Sequence, residues 1–475
     1  MTNRQLAIFI IRRLRAHGHE ALLAGGCVRD RLLGRRPKDY DVATSATPDE
    51  VRPLFRKTLA IGAQFGVVVV LSGKARVEVA TFRSDEPYTD GRHPTAVRFT
   101  SADQDARRRD FTINALFYDP LRRRTLDYVG GLKDLRRGLV RAVGNAEERF
   151  REDHLRMLRA VRFSSRLGFP LHRDTASAIR RLAPLIRRVS GERLRDELAL
   201  MLTDASRAKA MEMARRLGLL ERILPEVTAM KGCKQGRVHP EGDAWRHTML
   251  CLESLGRTDV LTALATLLHD IGKPPTADYS DGGVHFYGHP QVGAEMARDI
   301  AARLRLSAAQ TDELVWVVRH HLDFLHVRQM RQATLKRIFQ NPYFPTLARV
   351  QRADALGSRC TLADHRYIMR AYRRTLAEGL KPKPLVTGHD LLALGMRPGP
   401  AVGRILGELY DRQLEGALPS RRAALAAARR LVAAADSADG PGEQSGASTF
   451  RRKQRQDAPA TDGQDAPARV RPKKR

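Results

Sequence analysis

The spacing of hydrophobic residues changes near position 146, and this change constrains the fold more than any other feature. Before it, short apolar runs rich in β-branched residues are bounded by Gly, Asp and Pro at 21–24, 67–71, 77–82 and 96–99, which is typical of strands. After it, apolar residues recur at three- and four-residue steps, which predicts helices. We therefore predict the α+β fold class, with a small mixed-sheet head followed by an all-helical body.

The charge of the chain favours a polyanionic partner. The 475 residues include 84 Lys and Arg against 53 Asp and Glu, a net charge of +31. Residues from 450 onward hold nine basic residues and three Asp, so +25 of this charge lies before them. Nucleic acid is favoured over a membrane surface because no basic amphipathic anchor is evident. An Arg-rich proteome is the alternative explanation.

The sequence predicts a cytoplasmic protein. No stretch approaches the ~18–20 apolar residues of a membrane span, and the apolar run at 6–11 is too short for a signal sequence. Residues 436–475 have almost no apolar side chains, which predicts a disordered basic tail. The cysteines are scattered without a C-x-x-C pair, which argues against a disulfide scaffold: Cys27, Cys233, Cys251 and Cys360.

A glycine turn follows the first predicted strand. Residues 22–30 (L-L-A-G-G-C-V-R-D) read as strand, turn and helix start. Gly25 and Gly26 let the backbone approach a ligand closely, and N–H groups at a helix start favour a phosphate oxygen. Arg29 adds a charge-assisted donor. An ordinary tight turn is the alternative.

Three carboxylates in the head favour a divalent cation. Asp39 and Asp41 are two residues apart, so both face the same side of an extended chain, which suits a hard cation with oxygen ligands. Glu78 on a neighbouring predicted strand is a candidate third carboxylate, although a strand glutamate equally well faces solvent. A pair of Mg²⁺ ions would activate an attacking hydroxyl and stabilise leaving pyrophosphate, which is what nucleotidyl transfer requires.

The order of the head motifs carries a family resemblance. The glycine turn and Asp39-x-Asp41 precede D-E-P-Y-T-D-G-R-H-P at 85–94, R-R-D-F-T-I-N-A at 108–115 and E-D-x-x-R-x-x-R-A-x-R-F at 152–163. Over residues 20–235 the chain resembles class II tRNA nucleotidyltransferases and bacterial poly(A) polymerases. The resemblance implies Mg²⁺ at the two aspartates and contacts to a nucleoside triphosphate from Gly26, Arg29, Arg109, Arg159 and Arg162.

Base selection is predicted for an acid and an arginine in the third motif. Helical periodicity over residues 147–167 predicts that Asp153, Arg156 and Arg159 share one face. Cytosine and adenine both present an amino donor beside a ring-nitrogen acceptor, which a carboxylate and a guanidinium can pair. Uracil and guanine present the reverse and would leave buried polar groups unpaired. We predict that Asp153 and Arg156 select CTP and ATP; a surface ion pair is the alternative.

Three activities of the resembling family are distinguished by further segments. Residues 61–67 (I-G-A-Q-F-G-V) are typical of tRNA-repair members, and the segment at 85–94 is the loop that CC-only members lack. We therefore expect complete CCA addition to the 3′ end of tRNA. A-only addition and poly(A) synthesis are the alternatives, and the basic tail favours the latter. Candidate contacts to the tRNA acceptor stem are Arg187, Arg188, Arg193, Arg195, Arg215 and Arg216.

A second set of residues lies at metal-ligand spacing. An adjacent His-Asp that ends an apolar helix offers two ligands, and a histidine and an aspartate on other helices complete a cage. The pattern resembles the HD phosphohydrolase superfamily, which implies His247, His269, Asp270 and Asp354 as ligands. We expect Ni²⁺ or Mn²⁺ there and hydrolysis of 2′,3′-cyclic nucleotides or 2′-phosphates; a non-catalytic helical spacer is the alternative. Candidate accessory residues are Lys273, His289, His320 and His321.

These patterns divide the chain into five regions. They are a nucleotidyltransferase head (1–145), a nucleotide-selecting and RNA-binding region (146–235), an HD domain (236–360), a C-terminal helical region (361–435) and the tail (436–475). Two other functional classes remain open at this point. A non-enzymatic RNA-binding protein would tolerate loss of the head aspartates, and a stand-alone HD hydrolase would break down NTPs without extending a primer.

Overall fold

The computed structural model describes residues 1–59, 66–85, 97–236, 242–280 and 283–438. Residues 61–65 of the predicted tRNA-repair motif, the loop at 86–94 and the tail at 439–475 lie outside the described residues. Residues 1–382 form one compact unit, and a second begins at Lys383. Among the described helices, none is both long and apolar enough to cross a membrane.

The head is built on a seven-stranded mixed sheet. Its strand order is β3-β4-β5-β2-β1-β8-β9, and only β2 and β5 pair in parallel. All four predicted strands are present, with ends within two residues of the predicted ones. The elements of the head are α1 (Asn3–Ala16), β1 (Ala21–Ala24), α2 (Gly26–Leu32), β2 (Asp41–Thr44), α3 (Pro48–Val51), β3 (Thr58–Leu59), β4 (Val67–Ser72), β5 (Ala75–Thr81), β6 (Arg83–Asp85), β7 (Val97–Phe99), α4 (Ala102–Arg108), β8 (Phe117–Asp119), β9 (Arg124–Leu126) and α5 (Gly131–Arg136).

The register of the three central strands aligns the predicted head residues. Ala24 pairs with Asp41 across β1 and β2, and Asp41 pairs with Glu78 across β2 and β5. The glycine turn leaves β1 directly after Ala24, so it begins beside the first of these carboxylates. Gly25 has a φ of 72°, a conformation that favours glycine. The sheet therefore places the turn and two of the three predicted carboxylates in one row.

The body that follows is helical, as predicted. Its first part contains α6 (Ala146–Glu152), α7 (Arg156–Leu167), α8 (Arg173–Leu182), α9 (Gly191–Leu202), α10 (Arg207–Arg216), α11 (Leu220–Ile223) and α12 (Pro225–Ala229). The single helix predicted over 147–167 is wrong, because Asp153 has an extended backbone (φ −144°, ψ 105°) that separates α6 from α7. The Asp153 carboxylate accepts a hydrogen bond from the Leu155 N–H at 3.1 Å, which stabilises this local break instead of a continuous helix.

The rest of the first unit is also mainly helical, with two short strands. Asp243 and Asp259 accept hydrogen bonds from backbone N–H groups and cap two of these helices. The elements are α13 (Ala244–Ser254), α14 (Val260–Leu268), β10 (Ala277–Asp278), β11 (His285–Phe286), α15 (His289–Arg303), α16 (Ala308–His320), α17 (Gln332–Phe339), α18 (Phe344–Gly357) and α19 (Ala363–Glu378).

The second unit has its own small hydrophobic core. Leu391, Ile405, Leu409, Ala428 and Val432 are buried in it. An apolar stripe on each of its helices supplies these residues, so the unit follows the same helical pattern as the body before it. Its helices are α20 (Gly388–Ala393), α21 (Pro400–Leu414) and α22 (Arg421–Ala438).

Candidate active site and metal centre

Head and helical body meet at a cavity of about 460 Å³. The glycine turn, the first residue of β2, the end of α4, the α6–α7 break and α9 all contribute to its walls. Most of the residues predicted to bind a nucleotide are therefore brought together, although they are spread over 130 positions of the chain. The predicted residues that line it are Gly26, Arg29, Asp41, Arg109, Asp153, Arg156 and Arg159.

The carboxylates beside this cavity repel one another. Burial, followed by the charges of Glu78 and Asp39, raises the pKa of Asp41 to about 6, against the opposing effect of Arg109. Asp39 and Glu78 are themselves exposed. A half-buried carboxylate whose negative neighbours disfavour ionisation gains from a bound cation. The oxygen of Asp41 is thus suited to a hard divalent cation such as Mg²⁺.

Two arginines of the cavity pack on the same aromatic ring. The guanidinium carbons of Arg29 and Arg159 lie 5.1 and 5.5 Å from the centre of the Phe163 ring. Arg29 donates to Asn114 Oδ1 at 2.6 Å, and Arg159 donates twice to Asp110 Oδ2, at 2.9 and 2.7 Å. Each long side chain therefore has a defined direction before any ligand binds, which lowers the entropic cost of binding.

Arg109 has a carboxylate anchor of its own. It donates to Asp105 Oδ2 at 3.1 and 2.9 Å and to the Asn114 carbonyl at 3.3 Å. Its Nη1 lies only 3.0 Å from where a Cβ would sit at Gly25. A side chain at that position would push the guanidinium away, so the glycine is required here by close approach as well as by its φ.

Asp153 and Arg156, the predicted base-selecting pair, both line the cavity. The alternative explanation is a surface ion pair between them, and the ion pairs found among the described residues do not include it. Arg193 on α9 donates to both oxygens of Asp153, at 3.0 and 2.8 Å. Arg156 donates to Glu152 Oε2 at 2.6 Å and to two backbone carbonyls. The prediction that Asp153, Arg156 and Arg159 share a continuous helical face is wrong, because Asp153 precedes the first turn of α7. Different partners therefore hold the two side chains, Arg193 for Asp153 and Glu152 for Arg156.

Arg162, also predicted to bind the nucleotide, lies in a different environment. Its Nε donates to Glu197 Oε1 at 2.5 Å, and both side chains are buried. Its guanidinium carbon is 4.4 Å from the centre of the Phe163 ring, on which Arg29 and Arg159 also pack. The structure therefore places Arg162 behind the cavity-lining arginines, where it joins α7 to α9.

The second set of predicted residues converges on Asp270. The Nε2 atoms of His247 and His269 lie 3.7 and 3.3 Å from Asp270 Oδ2, and those of His289 and His321 lie 3.5 and 3.7 Å from Oδ1. His247 Nε2 is also 3.0 Å from Asp354 Oδ1. Two imidazoles thus approach each oxygen of Asp270. The Asp270 side chain lines a cavity of about 580 Å³.

Backbone hydrogen bonds orient three of these imidazoles. The Nδ1 atoms of His269, His289 and His321 lie 2.8, 2.9 and 2.7 Å from backbone carbonyl oxygens. Each Nδ1 therefore carries the proton, and each Nε2 presents its lone pair to the centre. Burial lowers the pKa of His321 and so favours the neutral ring, the form in which histidine binds a metal. Asp270 instead raises the pKa of His269, against the effect of burial.

Neighbouring charges favour the ionised form of both carboxylates at this centre. Burial would raise the pKa of Asp270, but His269 and Lys273 outweigh it and hold that pKa well below its usual range. Against the same effect of burial, His247 and His269 lower the pKa of Asp354 to about 2. The donor set of imidazole nitrogens and ionised carboxylates fits a divalent transition metal.

The accessory residues separate into two groups. Lys273 Nζ lies 2.7 Å from Asp270 Oδ2, and His289 and His321 belong to the centre. His320, in contrast, contacts Asp323 at 2.7 Å and packs on Trp316, with ring centres 4.6 Å apart. Of the two adjacent histidines, only His321 faces the carboxylate at the centre.

Family models match the chain in three consecutive parts. The model of the poly(A) polymerase head domain matches residues 21–141. A model described as the probable RNA- and SrmB-binding site of polymerase A matches 168–231, and the HD domain model matches 244–357. The chain therefore contains a poly(A) polymerase head domain, the RNA-binding segment that follows it in that polymerase, and an HD domain, in this order. Its head and HD centre are therefore a nucleotidyltransferase head and an HD domain, as the resemblance implied.

Curated CCA-adding enzymes and poly(A) polymerases are both similar to the chain. It is 48% identical over 224 residues to the CCA-adding enzyme of Geobacillus kaustophilus, which covers 47% of this chain and 55% of that enzyme. It is 41% identical over 233 residues to poly(A) polymerase I of Salmonella typhi, which covers 47% of this chain and 50% of that polymerase. The matches thus span about half the length of these relatives.

A solved structure matches over a greater length. The Bacillus stearothermophilus CCA-adding enzyme in complex with CTP superposes with a TM-score of 0.71 and 28% identity, over 91% of this chain and 98% of that one. The Thermotoga maritima CCA-adding enzyme complexed with tRNA gives a TM-score of 0.56 at 19% identity, over 91% and 95% of the two chains. At that identity, the second match establishes the fold only.

Several residues of the two centres are missing from the sequence prediction. Asp110, Asn114 and Phe163 orient the arginines, and nothing in their spacing indicates that role. Cys251 has its Sγ 3.4 Å from His247 Nε2, and the i,i+4 spacing of the two residues on α13 is a signal that could have revealed it. Gln235 lines the HD cavity, and within the described residues its buried Nε2 has no hydrogen-bond partner.

Proposed function

We propose that the chain adds C, C and A to the 3′ end of tRNA, using CTP and ATP with Mg²⁺ and no nucleic-acid template. The observation that carries this proposal is the lining of the head cavity. Asp153 and Arg156 line it together with the glycine turn, Asp41 and three arginines. Base-reading and triphosphate-holding groups thus lie within the reach of one bound nucleotide.

The roles of individual residues follow from their contacts. Asp153 accepts from the amino group of cytosine or adenine, and Arg156 donates to the adjacent ring nitrogen. A carboxylate has about four lone-pair directions, so Asp153 can bond to Arg193 and still accept from a base. Gly26, Arg29, Arg109 and Arg159 bind the triphosphate, and we retain Arg162 as a predicted contributor that acts from behind them.

The head carboxylates complete the reaction centre. We assign Asp39, Asp41 and Glu78 as catalytic, with the first two as ligands of Mg²⁺. The ion supplies charge stabilisation at the reacting phosphate and lowers the pKa of the attacking 3′-hydroxyl. The raised pKa of Asp41 supports this role, because Arg109 only partly offsets the effects of desolvation and of the neighbouring Glu78 charge on this half-buried carboxylate.

Binding of tRNA is proposed for the basic helical body. An acceptor stem is an A-form duplex that ends in a single strand, so contacts to phosphates and 2′-hydroxyls dominate. Arg195 and Arg216 lie on the surface near α9 and α10 and are candidate contacts. Arg193, another candidate, holds Asp153 instead. The division of the chain into five regions remains part of this proposal.

The decisive experiment uses tRNA without its CCA end and labelled nucleotides. CTP alone should extend it by two residues, and CTP with ATP by three. Extension by ATP alone on tRNA that ends in CC, with no use of CTP, would instead indicate A-only addition. A long homopolymer of A would indicate a poly(A) polymerase, which the relatives at 41% identity keep open as an alternative.

We further propose a phosphohydrolase activity for the HD domain. A divalent ion such as Ni²⁺ or Mn²⁺, held by His247, His269, Asp270 and Asp354, supplies Lewis acidity toward a phosphoester. Lys273 and the Gln235 amide, whose Nε2 has no hydrogen-bond partner among the described residues, line the same cavity and are placed to bind phosphate oxygens. Hydrolysis of 2′,3′-cyclic nucleotides and 2′-phosphates, with and without either metal, tests this activity. Absence of both turnover and bound metal would indicate that the domain is a non-catalytic helical spacer.

A further inference from the structure

We propose that Cys251 is a ligand of the HD metal, so that the first position of this centre selects a thiolate-binding transition ion. The inference rests on the proposed metal site and assigns to it a protein residue that the HD pattern does not include. His247, Cys251, His269 and Asp354 each offer an atom that lies within 4.8 Å of the atoms offered by the others.

The distances fit a cation enclosed by these four side chains. Around a tetrahedral ion with bonds of about 2.0–2.1 Å to nitrogen and oxygen and about 2.3 Å to sulfur, neighbouring ligand atoms lie roughly 3.3–3.6 Å apart. His247 Nε2 lies 3.2 Å from His269 Nε2, 3.0 Å from Asp354 Oδ1 and 3.4 Å from Cys251 Sγ. These three separations from His247 are close to, and slightly below, those expected around such an ion.

Helix packing directs Cys251 to this position. It lies one turn after His247 on α13, so both side chains project from the same face. The facing helix α18 carries Asp354 and, three residues later, Gly357. A Cβ at Gly357 would lie 2.3 Å from Cys251 Sγ and 3.1 Å from its backbone nitrogen. The glycine therefore permits the close approach that brings the thiol and the Asp354 carboxylate to one point.

The thiol changes which metal the centre prefers. Thiolate is a soft ligand that favours zinc, iron and cobalt over Mg²⁺, whereas carboxylates favour hard ions. Binding releases the thiol proton to solvent, so the ion is held by one thiolate in addition to imidazole and carboxylate groups. The neighbouring group of Asp270, His289 and His321 contains no sulfur. The two groups thus differ in ligand character.

Cobalt spectroscopy of the full chain tests the assignment. The metal-free protein is titrated with Co²⁺, whose visible bands report ligation and whose near-ultraviolet charge-transfer band reports a bond to sulfur. We expect both features in the wild type. Cys251→Ser should keep the visible bands and lose the near-ultraviolet band. The matched controls are Cys360→Ser, at an exposed thiol of the same cavity, and Cys233→Ser, and both should retain it.

Each result separates this inference from the proposed metal site. Visible bands without a sulfur band in the wild type would overturn the role of Cys251 and leave the metal site intact. Loss of the sulfur band in Cys360→Ser or Cys233→Ser, with retention in Cys251→Ser, would overturn it in the same way. Absence of all cobalt bands would overturn both proposals. The wild-type spectrum decides the point even if the Cys251 variant does not fold.

Discussion

Asp153 and Arg193 form an ion pair across the head cavity, in which one guanidinium nitrogen lies 3.0 and 2.8 Å from the two carboxylate oxygens. The two residues are 40 positions apart and lie on opposite sides of α7 in the chain. Asp153 is in an extended segment and lacks the support of a helix, so Arg193 fixes the direction of its carboxylate. We therefore expect the proposed base selection by Asp153 to depend on a residue of α9.

Arg193→Gln should weaken the preference for CTP over UTP. Loss of a charge-assisted hydrogen bond worth roughly 1.5–3 kcal/mol leaves the Asp153 carboxylate free to turn, so discrimination should fall by about tenfold or more. The ratio of kcat/KM for the two nucleotides, measured on tRNA that lacks CCA, checks this. Arg195→Gln, on the same helix, is the control and should alter tRNA binding alone. Unchanged discrimination between CTP and UTP in Arg193→Gln would show that Arg193 does not contribute to base selection.

Asp41→Asn should separate the two proposed activities. The amide is a poorer ligand than the carboxylate, and loss of metal stabilisation worth several kcal/mol should reduce nucleotide addition roughly a thousandfold. Hydrolysis of a cyclic nucleotide should be unaffected, and Asp354→Asn should have the reverse pattern. Substitution of Asp49, an exposed aspartate on α3, serves as the control. Full nucleotide addition by Asp41→Asn would identify a different metal ligand.

Glu197→Gln should destabilise the fold. The substitution leaves the buried Arg162 guanidinium without its anionic partner, and such a loss costs roughly 3–5 kcal/mol. Urea unfolding of the variant checks the free energy of unfolding. Asp196→Asn, one residue earlier and exposed, should change it by less than about 0.5 kcal/mol. Equal effects of the two substitutions would show that the buried ion pair contributes no more to the free energy of unfolding than the exposed one.

Glu212 provides a pH-dependent contribution to stability. Hydrogen bonds from Arg215 and Arg216 outweigh the effect of burial and lower its pKa from 4.5 to about 2, and its Oε2 also accepts from Trp245 on α13. Because the folded pKa is depressed, this stabilisation is present above pH 4.5 and is lost as pH falls toward about 2.

Glu212→Gln tests this linkage. The wild type should be more stable by about 1 kcal/mol near neutral pH, a modest value because the ion pairs are partly exposed. The difference should shrink between about pH 4.5 and about pH 3 in urea unfolding experiments. A difference that stays constant over this range would mean that the lost carboxylate contributes packing alone.

The sequence predicts much of the two centres because their chemistry is concentrated in short motifs. The adjacent His269 and Asp270 end an apolar helix, and this motif is what indicates the proposed HD ligands, which also include His247 and Asp354. Adjacent residues project in different directions at a helix end, however, and only the fold distinguishes His321 from His320. The four strands with β-branched runs are equally visible, whereas β2 and β8 have three or four residues each and carry little periodicity.

The break before α7 could not be predicted from hydrophobic spacing. Phe150, Leu155, Leu158 and Val161 keep a helical period across it, because both helices bury the same side of the chain. What ends α6 is a local bond from the Leu155 N–H to the Asp153 side chain, which competes with helix formation. The partner that then holds Asp153 is distant in sequence, and its position depends on the packing of α7 against α9.

Incorporation of each of the four nucleoside triphosphates by Asp153→Ala, with tRNA lacking CCA as primer, is the most direct test of the proposed protein template. Removal of the carboxylate eliminates the acceptor for the amino groups of cytosine and adenine and the clash with uracil and guanine. We expect Asp153→Ala to lose its preference for incorporating CTP and ATP, so that UTP and GTP become comparable substrates. A purified, folded variant that still prefers CTP and ATP as strongly as the wild type would contradict it.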